Sequence, residues 1–349
     1  MILRLKERRE QRLEVARWKA TRPDFQFIEY SKIYSDERDT HYKFGHKPNV
    51  KVKLDRGYYT FTMITNSEGL RESLDYPSLP KSVIFLGDSI VEGASVENHE
   101  TMDSVFEART GVTALNFGVA SRGGYLAYEY LRAKYRPEYS PRLVVLGFCI
   151  NDFEEATYVR YFDDALGHWF LSRYMDDSFD LQKGFWYRLS RAPLIGSIVR
   201  VAHDRYREAA IVKAFSDPPG TDPTRLPPKD NYGAEAVISL QLQYTDIHIR
   251  LLKEFTDSIG ARLVVVLLPP KGQLALQYGR GQRLQEMLIP ILQRNGIPYV
   301  DLYDTFKENV AHEPDVRWYH DELHFYARGH QLAGEFLAIR LKEMFPAVF

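Results

Sequence analysis

From residue 81 onward the chain alternates short apolar runs with stretches of helical spacing. Val83-Ile84-Phe85-Leu86 lies between Lys81-Ser82 and Gly87-Asp88 and reads as a short strand buried on both faces. Thr113 to Phe117, Leu143 to Cys149, Leu263 to Leu268 (stopped by Pro269-Pro270) and Pro298 to Leu302 repeat the pattern. Helices are predicted from Tyr125 to Tyr135, around Gln282 to Gln293, and from Arg328 to Met344, the last burying Leu332, Phe336, Ile339 and Leu341. A longer helix carries Val237, Leu240, Tyr244, Ile247, Leu251 and Phe255 at spacings of three and four, one face, and ends at Gly260. Five buried strands alternating with helices predict an α/β chain: a parallel five-stranded sheet with helices on both faces. Such sheets bind ligands beyond the C-terminal ends of their strands, near a switch point. The segments that follow the first three strands, Gly87-Asp88-Ser89, Gly118 to Gly124 and Asn151-Asp152, are expected to meet there.

The remaining segments break this rhythm. Residues 1–22 hold eight Arg or Lys and read as a basic helix up to Pro23. Its apolar positions form a poor stripe, so a solvated or partner-packed helix is expected, with contact to an anionic membrane surface as the alternative. Val50 to Leu54 and Tyr58 to Ile64, joined by Asp55-Arg56-Gly57, read as a hairpin. A charged linker with Pro77 and Pro80 follows, so residues 1–80 are predicted as an appendage and 81–349 as the main domain. From about 153 to 235 there is no strand pattern. Aromatic clusters, short helices and Pro-rich loops suggest an insertion that covers a site.

Composition narrows the class. A net charge of −1 gives no reason to expect a nucleic-acid partner, and 44% hydrophobic residues are ample for a core. The single cysteine, Cys149, excludes an internal disulfide and a cysteine-rich metal site. No apolar run approaches the roughly 20 residues that span a bilayer, and the first residues lack the apolar core of a secretory signal. A cytoplasmic protein is the expectation.

Ser89 stands at a strand-to-helix turn, where its hydroxyl is held out on rigid backbone beside unpaired helix N–H groups. Asp88 and Ser89 are also good helix caps, and the tripeptide by itself leaves both roles open. A serine nucleophile needs a base and an orienting acid. Asp321 and His324 are three apart in a loop before the last helix, so one tight turn brings the carboxylate to Nδ1 and leaves Nε2 facing a serine. The same two residues could merely brace that helix. His320, Asp321 and His324 have a spacing seen in zinc sites, but no His-Glu-x-x-His motif and no third ligand accompany it, so no metal is expected. Oxyanion donors are available from the backbone N–H of Ser89, from the loop after the second strand and from the Asn151 amide, which reads equally as a turn residue.

Four blocks in order, Gly87-Asp88-Ser89, Asn116-Phe117-Gly118-Val119, Gly147 to Asp152 and Asp321-Glu322-Leu323-His324, resemble the GDSL or SGNH hydrolases. Asn66, Gly69 and Arg71 resemble an Asn-Ser-x-Gly-x-Arg stretch that precedes this domain in some larger members. The resemblance implies a flavodoxin-like three-layer α/β/α sandwich and cofactor-free serine chemistry on an O-acyl ester or thioester, by hydrolysis or acyl transfer through an acyl-enzyme. By position it makes Ser89 the nucleophile, His324 the base, Asp321 its orienter and Asn151 an oxyanion donor. The family's oxyanion glycine falls at Ser121 in this chain, with Gly123 two residues on, and either N–H could serve. The Gly-x-Ser-x-Gly elbow of the α/β-hydrolases is absent. The substrate is expected to be a small acyl compound. A carbohydrate O-deacetylase and a non-catalytic binding or scaffolding member of the fold are the competing readings.

Overall fold

A computed structural model describes residues 45–55, 60–120, 122–155, 160–163, 168–171, 234–274 and 283–349. The basic segment 1–22, Ser121, residue 282 and most of the expected insertion between 153 and 235 lie outside the described residues.

The chain runs β1 (Lys51–Asp55), β2 (Thr60–Ile64), β3 (Ser82–Gly87), α1 (Ser89–Glu92), α2 (Met102–Thr110), β4 (Ala114–Gly118), α3 (Gly124–Lys134) and β5 (Pro141–Phe148). It continues through α4 (Asp152–Glu155), the small hairpin β6 (Arg160–Asp163) and β7 (His168–Leu171), and α5 (Ala234–Ser258). The rest is β8 (Arg262–Leu267), α6 (Lys271–Leu274), α7 (Arg283–Arg294), β9 (Tyr299–Asp301), α8 (Tyr303–His312) and α9 (Ala327–Met344). Five strands form one sheet in the order β4-β3-β5-β8-β9, and every pairing in it is parallel.

Side chains along each strand alternate between two cores. Ile84, Leu86, Val144, Leu146, Val265 and Leu267 face a layer built by α3, α5 and α7. Val83, Phe85, Leu143, Val145, Val264 and Val266 face a layer built by α1, α2, α8 and α9. Helices cover both faces, which gives a three-layer α/β/α sandwich. That arrangement explains why these strands read as unbroken apolar runs: neither face meets water. Each fully buried Leu, Val or Phe contributes about 1.5–3 kcal/mol through area removed from water. The hairpin of β1 and β2 is antiparallel. Its inward residues Leu54, Phe61 and Met63 join the α3 layer rather than forming a core of their own.

Helices depart from the periodicity in instructive ways. The helix opened by Ile90 lasts a single turn, because Gly93 at φ 74° ends it. Two helices that the apolar pattern did not reveal, α2 and α8, supply Phe106 and Phe306 to the core. In α9 the buried face is Gly329, Ala333, Gly334, Leu337 and Leu341, while Leu332 and Phe336 are half-buried and Ile339 is 61% exposed. The face turned inward is therefore the one with small residues. A Cβ added at Gly334 would lie 2.6 Å from the Met102 carbonyl oxygen and 2.7 Å from Val105 Cβ, so α9 seats directly on the backbone of α2. Similarly, α5 buries Tyr244, Thr245, His248, Ile249, Leu252 and Thr256, with Ile247 and Leu251 only half-buried. Among the described residues, no helix is long and apolar enough to cross a membrane.

Because the α2–α9 contact tolerates no side chain at this point, Gly334→Leu is expected to lower unfolding free energy by about 1–3 kcal/mol, the usual cost of overpacking. The urea midpoint checks this. An unchanged midpoint would mean that the two helices do not meet at Gly334.

Candidate active site

The turn that follows β3 is built from the inside. Asp88 takes extended backbone angles and caps α1, its Oδ1 accepting the Ile90 N–H at 2.9 Å. The capping role thus falls to Asp88, and Ser89 becomes the first residue of the helix with its hydroxyl uncommitted to the cap. The neighbouring strand presses close. A Cβ at Gly118 would lie 2.2 Å from the backbone nitrogen of Glu92, so only glycine fits where β4 ends. Val119 N–H donates to the Gly87 carbonyl at 3.0 Å. Asn116 Nδ2 donates to the Val91 carbonyl at 3.0 Å and to Asp103 Oδ1 at 2.7 Å, and its own Oδ1 accepts Gly118 N–H at 2.9 Å.

The far end of the turn is held by residues upstream of β3. Buried Arg71 donates through Nη1 to the carbonyls of Glu92 and Gly93, and through Nη2 to that of Val96. His46 pairs with the Glu92 carboxylate, both side chains being buried. Asn66 shapes the strap that delivers Arg71: its Oδ1 accepts the N–H groups of Glu68 and Leu70, each at 3.0 Å. Gly69, at φ 76°, lets that strap turn against the His46 carbonyl.

His324 arrives on the loop between α8 and α9. An antiparallel bridge joins Tyr319 to Phe325, and both rings are buried, Phe325 stacking on Phe306 with centroids 4.6 Å apart. Ser95, just beyond α1, ties this loop to the turn that carries Ser89. Its hydroxyl donates to the Phe325 carbonyl at 2.9 Å, and its carbonyl accepts from His320 Nε2 at 3.0 Å. Within the loop Asp321 Oδ1 accepts the N–H groups of Leu323 and His324 at 2.8 and 2.9 Å. His324 Nδ1 donates to Asp321 Oδ2 at 2.8 Å. A carboxylate only accepts, so the proton of the neutral imidazole sits on Nδ1, and Ser89 Oγ–H donates to Nε2 at 2.9 Å.

The structure brings together Ser89, His324 and Asp321 in one hydrogen-bonded chain. Asn151 joins them through the residue before the serine, its Nδ2 donating to Asp88 Oδ2 at 2.8 Å. Gly123 caps α3 at the same sheet edge, with extended backbone (φ −77°, ψ 171°). Ser121 lies outside the described residues. His320 braces the loop through Ser95 and packs edge-on against Tyr326. Among the described residues no three His, Cys, Asp or Glu side chains are gathered as metal ligands.

The sequence model of the GDSL-like lipase/acylhydrolase family matches residues 85–332. The chain belongs to this family. The matched span of this GDSL-like protein opens inside β3 and includes Ser89, Asn151, Asp321 and His324. No curated protein sequence matches it. Solved structures similar to it include a member of the lipolytic protein G-D-S-L family from Veillonella parvula, 15% identical, with 74% of this chain and 96% of that one covered and a TM-score of 0.38. A GDSL-like lipase from Bacteroides thetaiotaomicron is 16% identical over 78% of this chain and 93% of its own, with a TM-score of 0.41. A catalytic mutant of an acetylxylan esterase from Geobacillus stearothermophilus is 12% identical over 75% and 95%, with a TM-score of 0.38.

Charge in the GDSL-like site is set by partners more than by depth. Burial works to raise Asp321, but the hydrogen bonds from the His324 ring and from two backbone N–H groups win and hold it far below the usual carboxylate range. Burial likewise works against the His324 imidazolium, yet the Asp321 hydrogen bond and charge, with Asp88 and Glu92 beyond, hold it above its ordinary value. His320, four residues earlier, meets the Ser95 carbonyl, and burial pushes it down to about 4. A histidine raised on folding adds stability that is full below the unfolded pKa and is lost as pH rises through the folded one. NMR titration of His324 is expected to give a midpoint above the ordinary value of about 6.5, falling in Asp321→Asn. Equal midpoints in the two proteins would show that the Asp321 contact does not set the charge of the ring.

Proposed function

We propose that the protein is a serine-dependent hydrolase of acyl esters that works through an acyl-enzyme, with Ser89 as nucleophile, His324 as base and Asp321 as its orienter. The observation that carries this reading is the unbroken chain from Ser89 Oγ to His324 Nε2 and from His324 Nδ1 to Asp321 Oδ2. Membership of the GDSL-like lipase/acylhydrolase family supports ester hydrolysis as the reaction class.

Ser89 Oγ attacks the acyl carbonyl carbon as its proton passes to His324 Nε2, and the carbonyl electron pair moves onto the oxygen. The Asn151 amide, the Ser89 backbone N–H and a third N–H from the loop before α3, at Ser121 or Gly123, are the proposed donors to that oxyanion. Collapse of the tetrahedral adduct restores the carbonyl and breaks the bond to the leaving oxygen, which takes the proton from Nε2. Water then repeats the sequence: its proton goes to Nε2, its oxygen bonds the acyl carbon, and Ser89 leaves with the proton. Water is taken as the second acceptor, in keeping with membership of a lipase/acylhydrolase family. A thioester enters by the same steps with a thiol leaving.

A fluorophosphonate probe should label the wild-type protein at Ser89 and fail to label Ser89→Ala, whose melting temperature should stay close to wild type. Equal labelling of the variant would remove the nucleophile assignment. Turnover is expected to rise with pH through a single transition above about 6.5, because His324 must be neutral to accept the serine proton. A profile flat from about pH 5 to 8 would count against His324 as base. Intact mass after incubation with an acyl ester, with and without an added alcohol, separates hydrolysis from transfer.

A further inference from the structure

Two oxygens of one buried carboxylate join the two halves of the site. Asp88 is 1% exposed. Its Oδ1 accepts Ile90 N–H at 2.9 Å and its Oδ2 accepts Asn151 Nδ2 at 2.8 Å. We propose that Asp88 is a positioning residue that fixes which end of the Asn151 amide is presented to the reacting carbonyl. The proposal rests on the oxyanion role given to Asn151 above.

The two ends of an asparagine amide have nearly the same shape and differ in their hydrogens, so a half-turn of the group exchanges a donor for an acceptor. A carboxylate is acceptor-only and admits just one of the two orientations. Facing Asp88, the amide must offer its NH2. One hydrogen goes to Asp88, and the other is then held in a set direction in the amide plane. Turned the other way, the one carbonyl oxygen of the amide would lie against a buried carboxylate, and that oxygen, not an N–H, would stand where the donor to the forming oxyanion is needed.

The backbone of Asn151 is fixed separately. Asp152 Oδ2 accepts Cys149 N–H at 2.7 Å, and Asp152 N–H donates to the Cys149 carbonyl at 3.1 Å, which clamps the turn after β5. The Asp88 bond restrains rotation of the amide in that turn. The bond also spans the switch point of the sheet, because β3 and β5 are adjacent and the chain leaves them on opposite sides.

Capping alone does not explain an aspartate here. Asparagine and serine cap helices as well, and burial holds Asp88 above the usual carboxylate value, countered only in part by the bonds from Asn151 and Ile90. Refusing the carbonyl end of an amide is the property that only the carboxylate brings.

The test is a double-mutant cycle on the full chain with a chromogenic acyl ester, measured on the alkaline plateau, since removing the Asp88 charge also lowers His324. Asp88→Asn keeps an oxygen for Ile90 N–H but offers an NH2 to Asn151, which must then turn its oxygen inward. Asn151→Ala is expected to lower kcat by about 10²–10³ with KM little changed, the usual effect of losing one oxyanion donor. Asp88→Asn should lose turnover in the same range, and the double variant should be no worse than the poorer single one. Asp88→Ser, which still caps α1, gives the same comparison should the asparagine variant fold poorly. Melting temperatures are taken on the same preparations. Near-normal kcat in Asn151→Ala would overturn the oxyanion reading and leave Asp88 nothing to position. A slow Asn151→Ala beside a near-normal Asp88→Asn and Asp88→Ser would overturn the positioning role alone. So would losses that multiply in the double variant, because Asp88 would then act by a route that bypasses Asn151.

Discussion

The chain that leaves β3 does not come out into water; it turns inside the protein, and nearly all of Gly87 to Val96 is buried. Every backbone polar group along that path must find a partner within the protein, since each one left unmatched costs roughly 1–3 kcal/mol. The matches come from five residues, four of them outside that path. Val119 serves Gly87, Asn116 serves Val91, Arg71 serves Glu92, Gly93 and Val96, His320 serves Ser95, and the cap of Asp88 serves Ile90. A single turn of helix carrying Ser89 has little stability of its own. Its rigidity is borrowed from these contacts, and a hydroxyl that must meet an imidazole at hydrogen-bond distance needs that rigidity.

The same economy explains why the site reaches upstream of residue 80. Arg71 and His46 touch no part of the proposed reaction, yet they hold the end of α1 opposite Ser89. Asn66 and Gly69 in turn shape the strap on which Arg71 sits. The guanidinium suits this place because it presents several donors in a fixed plane to several carbonyls at once, which an ammonium does not do. Glu72, on the same strap, accepts the backbone N–H of Asn116 at 2.8 Å, so the strap grips β4 as well.

Two histidines four residues apart in one loop end in opposite protonation regimes. His324 has a carboxylate in direct contact and is raised, while His320 donates to a carbonyl and is lowered by burial. Asp321 can stabilise the imidazolium while half-exposed because its charge is set by three donated hydrogen bonds rather than by depth. Its position in a turn of four residues makes this pairing local, which is why it survives on a loop at the rim.

Local chemistry alone determined a good deal. Unbroken apolar runs identify strands covered on both faces, and the three-residue spacing of Asp321 and His324 permits their contact, since both signals depend only on nearby residues. The blocks at the strand ends mark where the ends of a parallel sheet gather. Other features belong to the tertiary structure. The pattern favoured Leu332, Phe336, Ile339 and Leu341 as the inward face of the last helix; Leu341 is buried and Leu332 and Phe336 half-buried, but Ile339 is exposed and the helix turned Ala333, Gly334 and Leu337 fully inward. Close approach to α2 outweighs the size of the apolar side chains, and a periodicity contains no information about its partner's surface. The presence of α2 and α8 was likewise decided by packing against the sheet, as short helices owe more to contacts than to propensity. Asp88 and Asn151 are 63 residues apart, and nothing in either neighbourhood announces that a carboxylate on one loop receives an amide from another. Such a bond exists only once the order β4-β3-β5 sets the two loops side by side.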